Sequence, residues 1–390
     1  KDKEVIMKQK YKPYIWLTCL ILLLVVLGMR PFHLFGSTTD WLNQHTVFPE
    51  YFRNLFYETK QLIPSFAFHL GTGQNIFHFS YYGLLSPLIL LAYALPFVSM
   101  TTYLQIVNVV LLVVSVLLFY QWIKKKVAGQ SAFLGSCLFA CAVPLVFQAH
   151  RHFMFVDYMP FLILGLMGID RYFEKGYKSF VTLAIFLMIM TSYYYSIGGL
   201  LVLAIYYIYC YLQKRSFSLW SFIKDGCKFL IPYFSGILLA GVLLLPTVYV
   251  VLHGRGDGSS SFSLLELFLP KLDYQTFLYD SYGLGLTFVS LLALIGGLFM
   301  KKRSLRFLSL ACLVVGIIPI FMFALNGTLY IRSKVLIPFL PLYFLLLAQF
   351  MERLMAQKKA TTWLKWMPLC LILGIFSVVC YRHEWYYGVL

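Results

Sequence analysis

The segment 36–82, GSTTDWLNQHTVFPEYFRNLFYETKQLIPSFAFHLGTGQNIFHFSYY, separates the first apolar run of the chain from all the others. It is the longest polar, interrupted segment in a chain that is otherwise mostly apolar. Asp40 lies in it, ten positions after Arg30 and just beyond the predicted membrane edge. We expect the rest of the chain to form a scaffold that holds this segment against a membrane surface.

The composition indicates an integral membrane protein. Of 390 residues, 61% are hydrophobic and 12% are charged, and the mean hydropathy is +0.78. Soluble domains carry about 25% charged residues, and apolar runs of about 17–22 residues are long enough to cross a bilayer as helices. The predicted fold is an all-α polytopic membrane protein in which residues 1–390 form a single transmembrane domain.

Eleven apolar runs are predicted to span the membrane. They are 14–29, 102–123, 129–148, 153–170, 179–196, 198–212, 229–252, 284–300, 306–325, 335–351 and 364–381. A further run, 83–99, is apolar, but it contains Pro87 and Pro96. We expect this run to lie in, or dip into, the outer leaflet without crossing.

The distribution of Lys and Arg predicts the orientation. With the N-terminus in the cytoplasm and 83–99 not crossing, 23 of the 32 basic residues fall on the cytoplasmic side and nine fall outside. This bias is what the positive-inside rule expects. Membrane orientation therefore accounts for the net charge of +17, and no nucleic-acid partner is expected. The predicted location is the plasma membrane of a bacterial cell.

Two large loops are predicted outside the membrane, 30–101 and 253–283, and the shorter turns 149–157 and 326–334 lie on the same side. Within the first loop, the run 47–62 has aromatic and aliphatic residues at helical spacing, with charged residues between them. This pattern is typical of an amphipathic helix on a membrane surface. Polar chemistry, if the protein carries any, is expected on this outer face.

Asp40 is the first candidate for chemistry. It is either a helix N-cap or solvated loop carboxylate, or a general base or metal ligand. A carboxylate placed at the membrane edge is suited to take a proton from a hydroxyl group. Gln44 and His45 follow by four and five residues, so that Gln44 could share a helical face with Asp40.

The turn AHRHFMFVDYMPF, 149–161, supplies His150, Arg151, His152 and Asp157. Charges between two spans are costly unless they pair or line a wet cavity. The cationic groups either reach the interface as ordinary anchors or form an anion site for a phosphate. Asp157 would then orient a partner or bind a metal, for which Mg²⁺ or Mn²⁺ would be the ion. Two histidines and a carboxylate are a weak metal signal.

Two later segments add candidates. Arg332 and Lys334 lie at the outer end of a predicted span, and an Arg fork matches phosphate geometry. The alternative for both is ordinary contact with lipid headgroups. Tyr195 lies in TSYYYSIGG, 191–199, which is either part of an aromatic belt or a surface on which a sugar stacks.

Several of these segments resemble the GT-C superfamily of polytopic glycosyltransferases and, within it, the bacterial YfhO-like membrane proteins. In the first half of the chain they are STTDWLNQH (37–45), GTGQN (71–75), YYGLLSPLILL (81–91), HRHFMFVDYMPFLILG (150–165) and TSYYYSIGG (191–199). RSKVLIPF (332–339) is the one later segment.

The resemblance implies a reaction as well as a fold. GT-C enzymes transfer a sugar from a polyprenyl-phosphate donor to an acceptor outside the membrane. Their first outer loop carries membrane-parallel helices and the acidic residue taken as the catalytic base, which falls on Asp40. A second acidic residue in the next outer turn falls on Asp157. YfhO-like proteins are associated with decorating cell-wall or teichoic-acid polymers, and many of them are much longer than this chain.

These observations predict a glycosyltransferase of the inverting type with three partners: a polyprenyl-phosphate sugar, a cell-wall glycopolymer acceptor and membrane lipids. Asp40 would activate the acceptor, while Arg332 and Arg151 or His152 would stabilise the leaving phosphate. A transporter or flippase of lipid-linked sugars is an alternative, although it would need polar groups near the bilayer midplane. A polymerase or ligase of surface polysaccharide is another.

Overall fold

The structure is a computed structural model that describes residues 2–29, 36–37, 40–64, 66–71, 73–214, 218–254, 263–271 and 273–356. Within these ranges the chain is almost entirely helical. The predicted span 364–381 and the C-terminal tail lie outside the described residues.

The α-helices of the first half are α1 Asp2–Met29, α2 Val47–Thr59, α3 Pro87–Tyr93, α4 Met100–Ile123, α5 Gly129–Ala140, α6 Val143–Arg151, α7 Met159–Lys175 and α8 Ser179–Thr191. Those of the second half are α9 Tyr193–Lys214, α10 Leu219–Leu239, α11 Gly241–Gly254, α12 Leu264–Phe268, α13 Tyr274–Phe277, α14 Phe288–Leu298, α15 Arg303–Ile317, α16 Pro319–Leu325 and α17 Leu340–Ala356. A π-helix spans Trp41–His45, and 3₁₀-helices span Ile76–Tyr82, Phe153–Phe155 and Ser333–Phe339. Strands β1 Phe66–Ala67 and β2 Gln74–Asn75 pair in an antiparallel hairpin.

Several of the apolar helices are bent pairs, which changes how spans are counted. The bend is 40° between α5 and α6, 67° between α10 and α11, and 78° between α15 and α16. Pro144 and Pro319 lie in the first turns of α6 and α16. Proline lacks the N–H that would continue a preceding helix, and its fixed φ suits the first turn of a new one.

Within the described residues, five helices are long and apolar enough to cross a membrane, and nine are if each bent pair counts as one span. The helices α8 and α14 are apolar but shorter. The prediction of a polytopic all-α membrane fold is therefore confirmed, but the predicted number of eleven spans is not.

The run 83–99 contains one short helix, α3, which is bent by 104° relative to the 3₁₀-helix Ile76–Tyr82. Seven residues of helix extend about 10 Å, which is far less than the hydrocarbon core of about 30 Å. A broken span and a re-entrant loop share this geometry. That 83–99 does not cross stays a prediction.

The centre of the bundle and its lipid-facing edge are clearly distinguished. In the apolar stretch of the helix pair Ser333–Ala356, 89% of the residues are buried, whereas in that of α1 only 17% are. Small residues allow the central helices to approach closely, since a Cβ on Gly135 would lie 3.0 Å from the Cβ of Ala348. The apolar outer faces of α1, α10 and α11 remain exposed and are the surfaces available to lipid.

The first loop contains the predicted helix, α2, which ends at Thr59 rather than at residue 62. Its apolar face packs on protein: Phe52 and Leu55 are buried, and Phe48 stacks on Phe79 and Tyr82 with ring centroids 4.9 and 4.3 Å apart. Much of this face is therefore covered by the loop itself. Its orientation relative to the membrane plane stays a prediction.

Candidate functional site

Segments that are far apart in the chain meet at one end of the helix bundle. Asp40 of the first loop lies 2.9 Å from His152, and the His152 ring lies 6.1 Å from that of Tyr282. The hydroxyl of Ser333 donates to the carbonyl of Tyr282 at 3.1 Å. The two large loops and the two shorter turns therefore gather together, as expected from the sequence. The side of the membrane on which they lie stays a prediction.

The backbone at Asp40 adopts a strained conformation. Its φ of 61° and ψ of −50° are close to those of a classic γ-turn, a rare and strained geometry. The carbonyl of Asp40 accepts from the N–H groups of Gln44 and His45 at 2.8 and 2.9 Å, and its side chain makes no cap hydrogen bond. The N-cap interpretation of this carboxylate is therefore wrong. Strain of this kind, about 1–3 kcal/mol, accumulates at functional sites.

The Asp40 side chain belongs to a chain of hydrogen bonds. Its Oδ2 lies 2.9 Å from Nε2 of His152, and Nδ1 of His152 lies 2.7 Å from Oε1 of Gln148. Gln148 in turn donates from Nε2 to the carbonyl of Ser281 at 2.6 Å. His152 and Gln148 are buried, whereas the Asp40 side chain is 35% exposed. The Asp40 end of this series of hydrogen bonds is therefore accessible to solvent, whereas the Gln148 end is buried.

His152 and His45 are neighbours whose pKa values are both lowered. Burial lowers the pKa of His152, and this is partly opposed by its hydrogen bond to Asp40 and by the Asp40 charge. Burial, reinforced by His152, lowers the pKa of His45 from 6.5 to about 3. The two rings lie 5.7 Å apart, edge to face. Both imidazoles are therefore held in their neutral form near pH 7.

Gln44 and His45, both in the short π-helix, contact Tyr82 in different ways. Gln44 accepts a hydrogen bond from the Tyr82 hydroxyl at 2.6 Å, whereas the His45 ring packs on those of His152 and Tyr82. His45 is therefore the nearer of the two to His152, the partner of Asp40. That Gln44 shares a face with Asp40 stays a prediction.

Three other predicted residues, His150, Arg151 and Tyr195, lie at the end of α6 and in α9. His150 and Arg151 end α6, and the Arg151 guanidinium lies 5.8 Å from the centre of the Phe147 ring. Tyr195 is 1% exposed and stacks on Tyr158 at 5.5 Å. The prediction of Tyr195 as a sugar-stacking surface is wrong, because its ring lies inside the helix packing.

Asp157 is also buried, with 1% of its surface exposed. Within the described part of the chain, its Oδ1 has no hydrogen-bond partner, and no group of three or more His, Cys, Asp or Glu side chains could hold a metal ion. The residues described here therefore do not fit a Mg²⁺ or Mn²⁺ site at Asp157.

A cavity of about 1230 Å³ is lined in part by Tyr282, whose ring lies 6.1 Å from that of His152. Its lining also includes three cations, Lys271, Arg332 and Lys334, and three carboxylates, Glu266, Asp273 and Asp280. Neither Arg332 nor Lys334 forms an ion pair with another described residue. The Lys334 ammonium lies 5.3 Å from the ring centre of Phe155, and Phe155 stacks on His152 at 4.5 Å. Arg332 and Lys334, which form no ion pair with the other described residues, therefore line a cavity that Tyr282 and Phe155 connect to His152.

The sequence interpretation missed Gln148 and Tyr282. Gln148 precedes His152 by four residues, a spacing that places two side chains on one helical face, so its link to His152 was detectable. Tyr282 belongs to a loop without periodicity, and nothing local connected it to His152.

Similarity to known proteins agrees with this membrane fold. The family model "Bacterial membrane protein YfhO" matches residues 15–279. The chain belongs to the YfhO family. The matched region of this YfhO-family protein contains Asp40, Gln148 and His152, whereas Arg332 and Lys334 lie beyond it. No curated protein shows significant similarity to the chain.

Proposed function

We propose that this YfhO-family membrane protein is an inverting glycosyltransferase. It transfers a sugar from a polyprenyl-phosphate donor to a cell-wall glycopolymer, such as teichoic acid, on the outer face of the bacterial membrane. The observation that carries the proposal is a partly exposed carboxylate, Asp40, hydrogen-bonded to His152 near a cavity lined by Arg332 and Lys334, neither of which is ion-paired within the described part of the chain. The sugar and lipid parts of the donor rest on the resemblance to GT-C enzymes.

The cavity suits a bulky anionic substrate. Ligand pockets typically measure about 300–1,000 Å³, so a volume of about 1230 Å³ leaves room for a sugar together with its phosphate. The planar fork of Arg332 matches phosphate geometry, and Lys334 adds a second positive charge. Positive charge placed where the leaving group becomes more negative stabilises the transition state more than the ground state.

The reaction is a single displacement at the anomeric carbon. The O–H bond of the acceptor breaks, and its proton passes to Asp40. The acceptor oxygen forms a bond to C1, while the bond from C1 to the phosphate oxygen breaks. The electron pair leaves with the polyprenyl phosphate, whose extra negative charge faces Arg332 and Lys334.

A transfer assay with purified protein in detergent tests the proposal. It supplies polyprenyl-phosphate GlcNAc, glucose or galactose and a cell-wall polymer extract, with Mg²⁺ and with a chelator. Wild type should transfer sugar. Asp40→Asn should lose about 10²- to 10⁴-fold in rate because it removes the general base. Arg332→Gln should lose activity mainly through weaker binding of the donor, seen as a higher KM. Lys60→Gln, at an exposed position in the first loop, should keep its activity.

Full activity in Asp40→Asn would overturn the assignment of the base. If wild type binds donor lipid without transfer and moves it across vesicle membranes, the protein is a flippase instead. Product size separates a single transfer from a polymerase: one sugar per site supports the proposal, and lengthened chains contradict it.

A further inference from the structure

The hydrogen-bond chain from Ser281 to Asp40 defines where its protons lie. A backbone carbonyl only accepts hydrogen bonds, so the amide nitrogen of Gln148 must face Ser281, at 2.6 Å. The amide oxygen of Gln148 must then face Nδ1 of His152, at 2.7 Å. Since that oxygen cannot donate, Nδ1 carries the proton.

This arrangement determines the contact between His152 and Asp40. With Nδ1 protonated, a neutral His152 presents the lone pair of Nε2 to Oδ2 of Asp40, 2.9 Å away. Two lone pairs at that distance would repel each other. The contact therefore holds one proton, which lies either on Oδ2 or on Nε2.

The His152 ring is fixed in this orientation by its neighbours. Phe155 stacks on one face with an interplanar angle of 20° and a centroid distance of 4.5 Å. The rings of His45 and Tyr282 meet it at 5.7 and 6.1 Å, both edge to face. A ring flip would exchange nitrogen for carbon at both hydrogen bonds, so Gln148 and Asp40 also oppose it.

The charges around His152 decide which proton position is favoured at rest. Asp40 stabilises the imidazolium, whereas Arg151 and Lys334 oppose it, and burial lowers the pKa of His152 overall. His45, the neighbouring imidazole, is neutral near pH 7 because burial lowers its pKa to about 3. His152 is therefore neutral at rest and able to accept a proton when one arrives.

We infer that Asp40 relays the acceptor proton to His152, and that Gln148 is the positioning residue which keeps the receiving nitrogen, Nε2, facing Asp40. The inference deepens the proposed transfer reaction and rests on it. The O–H bond of the acceptor breaks, and its proton joins Oδ1 of Asp40. The bridging proton passes at the same time from Oδ2 to Nε2. The pair gains one positive charge while the departing phosphate gains one negative charge.

The relay changes the strength of the base. Asp40 can take the acceptor proton because it passes the bridging proton to Nε2, so the net proton ends on an imidazole, whose ordinary pKa is about 6.5. General bases work best when their pKa lies near the working pH. The exposed carboxylate contacts the acceptor, and the buried imidazole supplies the basicity.

The tautomer can be measured without any substrate. In protein labelled with ¹⁵N-histidine, the His152 signals are identified by their loss in His152→Phe. Near pH 7 we expect Nδ1 of His152 to carry the proton in wild type, and in Gln148→Met we expect this preference to be lost. A wild-type signal with the proton on Nε2 and a bare Nδ1 would overturn the inference, whatever the activity of the protein.

The pH profile of transfer gives a second, independent result. In Gln148→Glu a carboxylate replaces the amide oxygen facing Nδ1, and this stabilises the imidazolium. The acidic limb of the profile should move up by about one pH unit or more. Gln148→Met should lower kcat about 10- to 100-fold, as loss of a supporting hydrogen bond typically does, with little change in KM for the donor.

Gln61→Glu makes the same chemical change at an exposed loop position and should leave the acidic limb of the pH profile where it is in wild type. An acidic limb that stays in place in Gln148→Glu would overturn the relay. Absence of transfer by wild type would instead overturn the proposed function, and the tautomer measurement would still stand on its own.

Discussion

Arg53 donates to both carboxylate oxygens of Glu50 at 2.7 Å, and the pair joins three helices. The other terminal nitrogen of Arg53 donates to the carbonyls of Leu95 and Val98 at 3.0 and 2.9 Å. Glu50 accepts from the N–H of Met100 at 3.0 Å. One pair on α2 thus satisfies carbonyls that follow α3 and an N–H group that begins α4, which fixes the first loop to the bundle.

Arg53→Met should destabilise the protein by about 3 kcal/mol or more, since removing one member of a buried pair leaves its partners unsatisfied. Arg306→Met, at an exposed position on α15, is the matched control and should change stability by less than about 0.5 kcal/mol. The apparent Tm of both variants in one detergent checks the prediction. Equal Tm values for the two variants would contradict it.

A second polar cluster ties α4, α7 and α9 together at Asp170. Its carboxylate accepts from Trp122 Nε1 at 2.9 Å, from Lys126 Nζ at 2.8 Å and from the Tyr206 hydroxyl at 2.6 Å. The Asp170 side chain is 13% exposed. Three donors, two at or just after the end of α4 and one from α9, thus converge on one nearly buried carboxylate.

Asp170→Asn should cost about 3 kcal/mol, because the amide group places a donor against other donors and removes the charge that pairs with Lys126. Glu174→Gln, one helical turn later, is the control: that side chain is 53% exposed and lies 3.9 Å from Lys214, so it should cost less than about 1 kcal/mol. The apparent Tm of both variants, measured side by side, compares the two losses of stability. A smaller loss in Asp170→Asn than in Glu174→Gln would be incompatible with this role.

The membrane fold follows from the sequence because a bilayer accepts few structures. Backbone polar groups in lipid must be satisfied within the segment, which leaves helices for long apolar runs. Pro144 and Pro319 lie at two of the breaks, although 129–148 and 306–325 were each predicted as one continuous span. The burial of Tyr195 was not predictable in the same way, because Tyr, Ser and Thr surround it in TSYYYSIGG (191–199) and give no signal for the face that meets protein.

The candidate site was only partly accessible from the sequence. Asp40 and His152 were each recognised as candidates, but 112 positions separate them, and no local pattern pairs two residues so far apart. The Gln148–His152 spacing, by contrast, lies within one helix turn. Long-range pairing depends on how helices pack, and uniformly apolar helices specify that weakly.

The predicted orientation can be tested at Lys125, in the basic segment after α4. If the N-terminus is cytoplasmic and 83–99 does not cross, Lys125→Cys should resist an impermeant maleimide added to intact cells. Lys60→Cys, in the first loop, should react. The parent protein gives the background from native cysteines, and permeabilised cells show that both sites are reactive. Labelling of Lys125→Cys in intact cells would reverse the sidedness and place the Asp40 site in the cytoplasm.

The pH dependence of stability should contain a contribution from His45. The pKa of this residue is lowered to about 3 in the folded protein, against about 6.5 when it is unfolded. Between these values the unfolded chain binds more protons than the folded one, so stability falls as pH decreases through this range. At one pKa unit per 1.36 kcal/mol, the loss at pH 5 relative to pH 8 is about 2 kcal/mol.

His45→Phe isolates this contribution, because it keeps a ring between His152 and Tyr82 but cannot titrate. Acid also protonates carboxylates and His152 in both proteins, so the informative quantity is the difference in Tm between wild type and variant at each pH. Relative to its value at pH 8, that difference should shift in favour of the variant at pH 5, because only wild type has a position 45 that gains a proton on unfolding. A difference that stays constant from pH 8 to pH 5 would mean that His45 is protonated in the folded protein as readily as in the unfolded chain, and that the imidazole next to His152 is not kept neutral by burial.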